Sequence, residues 1–108
     1  MSKRSKDMNT YKRISAKEAK EILKNNNCLL LDIRDYHDYE ESHDPQSFHL
    51  SGDNLPLFIK TTHKATPLLV LCYHGNSSQQ IAEYLIENDF LEVYSIDGGY
   101  EAWLKISC

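Results

Sequence analysis

A chain of 108 residues, 41% hydrophobic and 26% charged, is one domain's worth of ordinary globular sequence with a modest but real core. Its formal net charge is −4, and an acidic body without basic-aromatic stripes excludes nucleic acid as the main ligand. No apolar run approaches the roughly 20 residues of a membrane span, and Met1 to Thr10 holds no signal-like apolar stretch, so a cytoplasmic protein without a membrane partner is expected.

The charge is unevenly spread. Residues 1–24 hold eight Lys/Arg against three Asp/Glu, and the remainder holds four against thirteen. The reading is a flexible basic tail over residues 1–10 ahead of a single domain over residues 11–108. Cys28, Cys72 and Cys108 are an odd count without metal-ligand spacing, which fits free thiols in a reducing compartment. His37, His43 and His49 recur every six residues, a spacing that shares no helix face, and Pro45 breaks the segment; no metal and no cofactor are expected.

In chain order, a short edge strand is expected around Tyr11 to Ile14. Ser15 and Glu18 form a capping box, with Ile14 and Ala19 placed as a hydrophobic staple, and the helix runs to about Lys24. Cys28 to Ile33 reads as a buried strand ending in Arg34-Asp35. A short helix follows over Tyr36 to Ser42, capped by Asp35 and stopped before Pro45. Phe48 to Leu50 makes a third strand. Asp53 is placed to cap a helix over Asn54 to Thr61, with Pro56 in its first turn. Glu92 to Ile96 is a further strand, Asp97-Gly98-Gly99 a tight turn, and Tyr100 to Ile106 a closing helix anchored by Trp103.

Between these lies the most informative stretch. Leu68 to Leu71 is a run of four branched apolar residues and reads as a strand buried on both faces. Ser77 and Gln80 are spaced as a second capping box, so a helix begins there, with Ile81, Ala82, Leu85 and Ile86 on its core face. Cys72 opens the loop from strand to helix. Unpaired N–H groups and the positive dipole end gather at a helix head and favour anions, and the nucleophilic form of a thiol is an anion.

Strands alternating with helices of one to three turns give an α/β fold with a central, mostly parallel sheet of about five strands flanked by helices. Ligands of such sheets bind beyond the carboxyl ends of the strands, where Cys72 sits. Asp32 and Arg34 end another strand and are candidates to face the same crevice; structural pairing of Arg34 with Glu40 or Asp35 is the alternative.

Leu30-Leu31-Asp32-Ile33-Arg34 with Tyr39-Glu40, the Cys72 loop, and Ile96-Asp97-Gly98-Gly99-Tyr100-Glu101-Ala102-Trp103 together resemble the single-domain rhodanese family. The loop Cys72-Tyr73-His74-Gly75-Asn76-Ser77-Ser78 looks like that of GlpE-type thiosulfate sulfurtransferases. The resemblance runs from about Tyr11 to Ile106 and implies a rhodanese-like fold whose cysteine carries sulfur as a persulfide. It implies thiosulfate as donor, and cyanide or a thioredoxin-like dithiol protein as acceptor.

Under that resemblance Cys72 is the catalytic nucleophile, and its thiolate attacks the outer sulfur of thiosulfate and displaces sulfite. Gly75 supplies the positive φ of an anion nest. Asn76, Ser77 and Ser78 contact the sulfonate oxygens or cap the helix, His74 assists the anion's charge or is simply an exposed loop residue, and Tyr73 walls the pocket. Cys28 and Cys108 read as a core residue and a chain end, with resolution of the persulfide as the alternative. The loop carries no Lys or Arg, which favours a persulfide carrier between proteins as the second reading; a docking module without catalysis is the third. A phosphatase of related fold needs an arginine at the end of a longer loop, and the sixth residue after Cys72 is Ser78.

Overall fold

In the computed structural model, which describes residues 10–25 and 27–106, Leu68–Leu71 forms a strand buried at all four positions. In chain order the elements are β1 (Lys12–Ile14), α1 (Ala16–Asn25), β2 (Leu29–Asp32), α2 (Tyr36–Glu41) and β3 (Ser47–His49). They continue with α3 (Leu55–Thr61), β4 (Leu68–Leu71), α4 (Ser77–Glu87), β5 (Val93–Ile96) and α5 (Gly99–Lys105). The assigned basic tail, all but Thr10, and Cys108 lie outside the described residues.

The strands run β1-β5-β4-β2-β3, each parallel to its neighbours, so the expected five-stranded sheet is parallel throughout. β4 occupies the middle with β5 and β2 beside it. Alternation along β4 divides the core between the two faces. Leu68 and Val70 join Phe58, Ala82, Leu85 and Phe90 under α3 and α4. Leu69 and Leu71 join Ala16, Ala19, Ile96 and Trp103 under α1 and α5. A strand covered on both faces needs apolar residues at every position, which is why this segment reads as a continuous run.

The capping box at α1 forms as expected: the Ser15 N–H donates to Glu18 Oε1 at 3.0 Å and the Glu18 N–H to Ser15 Oγ at 3.0 Å. Two other caps differ. Asp35 precedes α2 without a side-chain cap; its backbone N–H instead donates to the Tyr73 hydroxyl at 3.1 Å. α3 is preceded by Asn54, not Asp53, and the Asn54 carboxamide closes the turn before it, accepting from the Ser51 N–H at 2.8 Å and donating to the His49 carbonyl at 2.9 Å. Residue 54 thereby links the end of β3 to α3, a contact that residue 53 is one position too early to make.

Candidate active site

Cys72 follows the last residue of β4 at the carboxyl end of the sheet's middle strand. The next four residues reverse the chain into α4, and Gly75 does so at φ +96°. That reversal brings two amides onto the sulfur. The Gly75 N–H donates to Cys72 Sγ at 3.1 Å and the Ser78 N–H at 3.3 Å. Cys72 is 2% exposed, so the thiol lies at the floor of a bowl lined by backbone donors.

The Ser77–Gln80 capping box expected at α4 is replaced by this arrangement. Asn76 precedes the helix in an αR conformation without a side-chain cap, and Ser77 is its first residue. The free N–H of Ser78 is capped by the Cys72 sulfur, an acceptor no helix-start pattern anticipates. Ser78 is itself fully buried, its hydroxyl paired with that of Ser95 on β5 at 2.7 Å. It therefore turns its amide, and not its hydroxyl, toward the Cys72 sulfur. Gln79 secures the turn from outside, its amide nitrogen donating to the Gly75 carbonyl at 2.9 Å.

If amides are to point inward, the loop's carbonyls have to point outward, and α5 receives them. The Tyr100 N–H donates to the Cys72 carbonyl at 2.7 Å, and the Glu101 N–H lies 3.5 Å from that of Tyr73. This approach is possible because residue 99 is glycine. A Cβ there would stand 2.4 Å from the Tyr73 carbonyl oxygen. A Cβ on Gly75 would stand 2.7 Å from the Gly98 nitrogen. The Asp97-Gly98-Gly99 turn, expected to be only a turn, is the outer wall of the loop.

The remaining loop residues form a rim. Tyr73, His74, Asn76 and Ser77 are exposed, while Gly75 and Ser78 are buried with Cys72. The Tyr73 phenol donates to Asp38 Oδ2 and accepts the Asp35 N–H, tying the loop to α2. The bond to Asp38 raises its pKa above the ordinary tyrosine value, opposed by the Asp35 amide. His74 Nδ1 sits 3.1 Å from Glu101 Oε1 on the open surface.

Asp32 and Arg34 are buried beside the loop, but the partner of Arg34 is neither Glu40 nor Asp35. Its Nε and Nη2 reach the two carboxylate oxygens of Asp32 at 3.0 and 2.8 Å, and Nη2 also donates to the Ser42 carbonyl at 2.7 Å. Its guanidinium lies 3.8 Å from the centre of the Tyr100 ring. Burial works against its charge, but the pairing with Asp32 outweighs it and holds the pKa above the usual guanidinium value. The pair thus braces the first turn of α5, which in turn holds the loop. Cys28 is remote from all this: it precedes β2 at the opposite end of the sheet, roughly 16 Å from Cys72 at about 3.3 Å per strand residue. Resolution of a Cys72 persulfide by Cys28 is therefore excluded in the monomer. Burial, with Glu92 nearby, pushes the Cys28 thiol up.

Residues 15–106 match the family model of the rhodanese-like domain. The chain belongs to the rhodanese family. It is 46% identical over 99 residues to the thiosulfate sulfurtransferase GlpE of Tolumonas auensis, a match covering 92% of this chain and 93% of that protein. Among solved structures, a rhodanese-like domain protein of Staphylococcus aureus superposes with a TM-score of 0.75 at 24% identity, over 85% of this chain and 90% of that one. A rhodanese-like domain from an Anabaena protein gives 0.75 at 21% identity, over 90% and 74% of the two chains. At those identities the likeness concerns the fold. In this rhodanese domain, the residues that sequence reasoning missed are Gly99, Tyr100 and Glu101, whose backbone holds the loop. The signal was available in the Gly98-Gly99 pair, since two adjacent glycines invite close backbone approach as well as a turn.

Proposed function

We propose that this chain is a thiosulfate sulfurtransferase working through a persulfide on Cys72. The observation that carries the reading is the pair of amides directed at Cys72 Sγ, in a chain 46% identical to a protein of that name. A thiolate at that position attacks the outer sulfur of thiosulfate; the S–S bond of the donor breaks and sulfite leaves with the electron pair. The outgoing charge and the anionic persulfide both lie where fixed N–H dipoles favour negative charge without reorganisation. Because the sulfur is at the floor of the bowl, only the donor's outer sulfur enters, and its sulfonate end rests against the rim of Tyr73, His74, Asn76 and Ser77. The acceptor, cyanide or a thioredoxin-like dithiol protein, then removes the sulfur and restores the thiolate. Such chemistry needs a reduced cysteine, which fits a cytoplasmic setting, and it calls for neither metal nor organic cofactor.

Initial rates of sulfite release, with thiosulfate and cyanide varied together, test this reading. A two-step transfer gives parallel double-reciprocal lines, whereas direct transfer in a ternary complex gives intersecting ones. A second reading has one observation in its favour: the loop holds no Lys or Arg, and its one histidine is tied to Glu101. A carrier that takes sulfur from another protein would load once with thiosulfate and show little sustained turnover.

A further inference from the structure

Beside the thiol bowl, on the face of the sheet covered by α3 and α4, lies a cleft of about 270 Å³. Ile33, Leu50, Leu55 and Ile81 supply its apolar walls, and Ser77 and Gln80 its polar edge. It is continuous with the loop. Ser77 belongs to both, and the Ile33 N–H donates to the carbonyl of Leu71, the residue before Cys72, at 2.9 Å. No lining side chain is charged, although residues 25–108 carry thirteen carboxylates. A small dianion gains nothing in such a place. A space of that size suits a chain of several carbons.

We propose that this cleft is the acceptor's subsite and that it takes the aliphatic stem of an uncharged small thiol. The proposal rests on the sulfurtransferase reading above. With the stem in the cleft, the acceptor's thiolate attacks the outer sulfur of the Cys72 persulfide. A new S–S bond forms to the acceptor, the bond between that sulfur and Cys72 Sγ breaks, and the electron pair returns to Sγ as the thiolate. The product leaves as the acceptor's own persulfide anion, and the proton the acceptor thiol lost on forming its thiolate stays in solvent. Burial of methylenes against Ile33, Leu55 and Ile81 supplies the selectivity.

The test separates the two half-reactions. The protein is loaded with thiosulfate, freed of excess donor, and discharged with 2-mercaptoethanol, 4-mercapto-1-butanol and 6-mercapto-1-hexanol, which are uncharged and differ in stem length. The second-order rate of discharge is expected to rise with each methylene, by up to about fourfold apiece, until the cleft is full. Gly52 borders the cleft, and a Cβ there meets no atom within 4 Å, so the backbone accepts a side chain and Gly52→Phe sets a ring at the cleft's edge, on a residue outside the Cys72 loop. That variant is expected to load normally and to lose the dependence on stem length. Gln80→Leu, which makes the edge apolar, is expected to steepen it. A loaded wild-type protein that discharges at one rate with all three thiols, or a Gly52→Phe variant with an unchanged slope, overturns the cleft and leaves the sulfurtransferase reading intact. A protein that never gains sulfur from thiosulfate overturns both.

Discussion

The sulfur of Cys72 caps helix α4, accepting the Ser78 N–H at 3.3 Å from six residues upstream. One atom is thus both the proposed nucleophile and a structural acceptor, and the two roles can be separated by substitution. Cys72→Ser keeps an acceptor in the bowl and should hold the unfolding free energy near wild type while abolishing sulfite release. Cys72→Ala removes the acceptor as well and should lose about 1 kcal/mol of stability, the usual cost of deleting a helix cap. Urea melts of the two variants, beside a sulfite assay, check the pair.

Gly75 and Gly99 should prove equally intolerant of a side chain, although they lie on different elements. Gly75 has φ +96°, and a Cβ there would press on the Gly98 nitrogen; Gly99 has φ +59°, and a Cβ there would press on the carbonyl of Tyr73. Gly75→Ala and Gly99→Ala each force the loop and the start of α5 apart. A stability loss of about 1–3 kcal/mol and a large fall in kcat are expected for both. Circular dichroism melts and steady-state rates measure this.

Asp32 and Arg34 form a buried pair in which, among the described residues, neither charge makes a second salt bridge. Removal of one partner strands the other. Asp32→Asn and Arg34→Met should each cost about 3–5 kcal/mol, whereas the double variant should cost less than the sum. A denaturant double-mutant cycle reads the coupling.

His74 and Glu101 meet at 3.1 Å with both side chains largely in solvent, a setting in which ion pairs contribute little. His74→Ala should lower kcat/KM by less than tenfold, about 1.4 kcal/mol of barrier. A larger loss would make the imidazole a principal participant and the amides secondary.

Tyr94 carries the clearest titration signature. Its phenol donates to Glu92, which together with partial burial raises its pKa to about 12. Since the folded value lies above the unfolded one, this contribution to stability is complete below pH 10 and is lost as pH rises through about 12. Ultraviolet titration should show a late-ionising tyrosine that Tyr94→Phe removes, and the variant should show a weaker alkaline fall in stability.

Much of this was legible beforehand because single-residue signals and tertiary demands agree. Leu68–Leu71 is apolar throughout because helices cover both faces, and the Ser15–Glu18 box is local, so the chain nearby suffices to set it. The site's principal loop could be placed for the same reason: a strand end, a cysteine, a glycine and a helix start fall within seven residues. What escaped sequence reasoning depends on partners distant in the chain. The expected Ser77–Gln80 cap does not form because α4 already includes Ser77 as its first residue, after Asn76, and the Ser78 N–H is met by the Cys72 sulfur from across the loop. Arg34 chooses Asp32 over Glu40 and Asp35 because residues 32 and 34 are enclosed together under Tyr100, and an unpaired charge there is costly. Ser78 turns its hydroxyl to Ser95, seventeen residues away, which no local pattern encodes.

On the proposed mechanism, backbone amides at the head of α4 hold a sulfur-loaded Cys72. Peptide mass spectrometry after incubation with thiosulfate, with and without subsequent cyanide, tests it most directly. One added sulfur atom is expected on the peptide containing Cys72, and cyanide treatment should remove it. A Cys72 peptide of unchanged mass, or an added sulfur found on Cys28 or Cys108 instead, would contradict it.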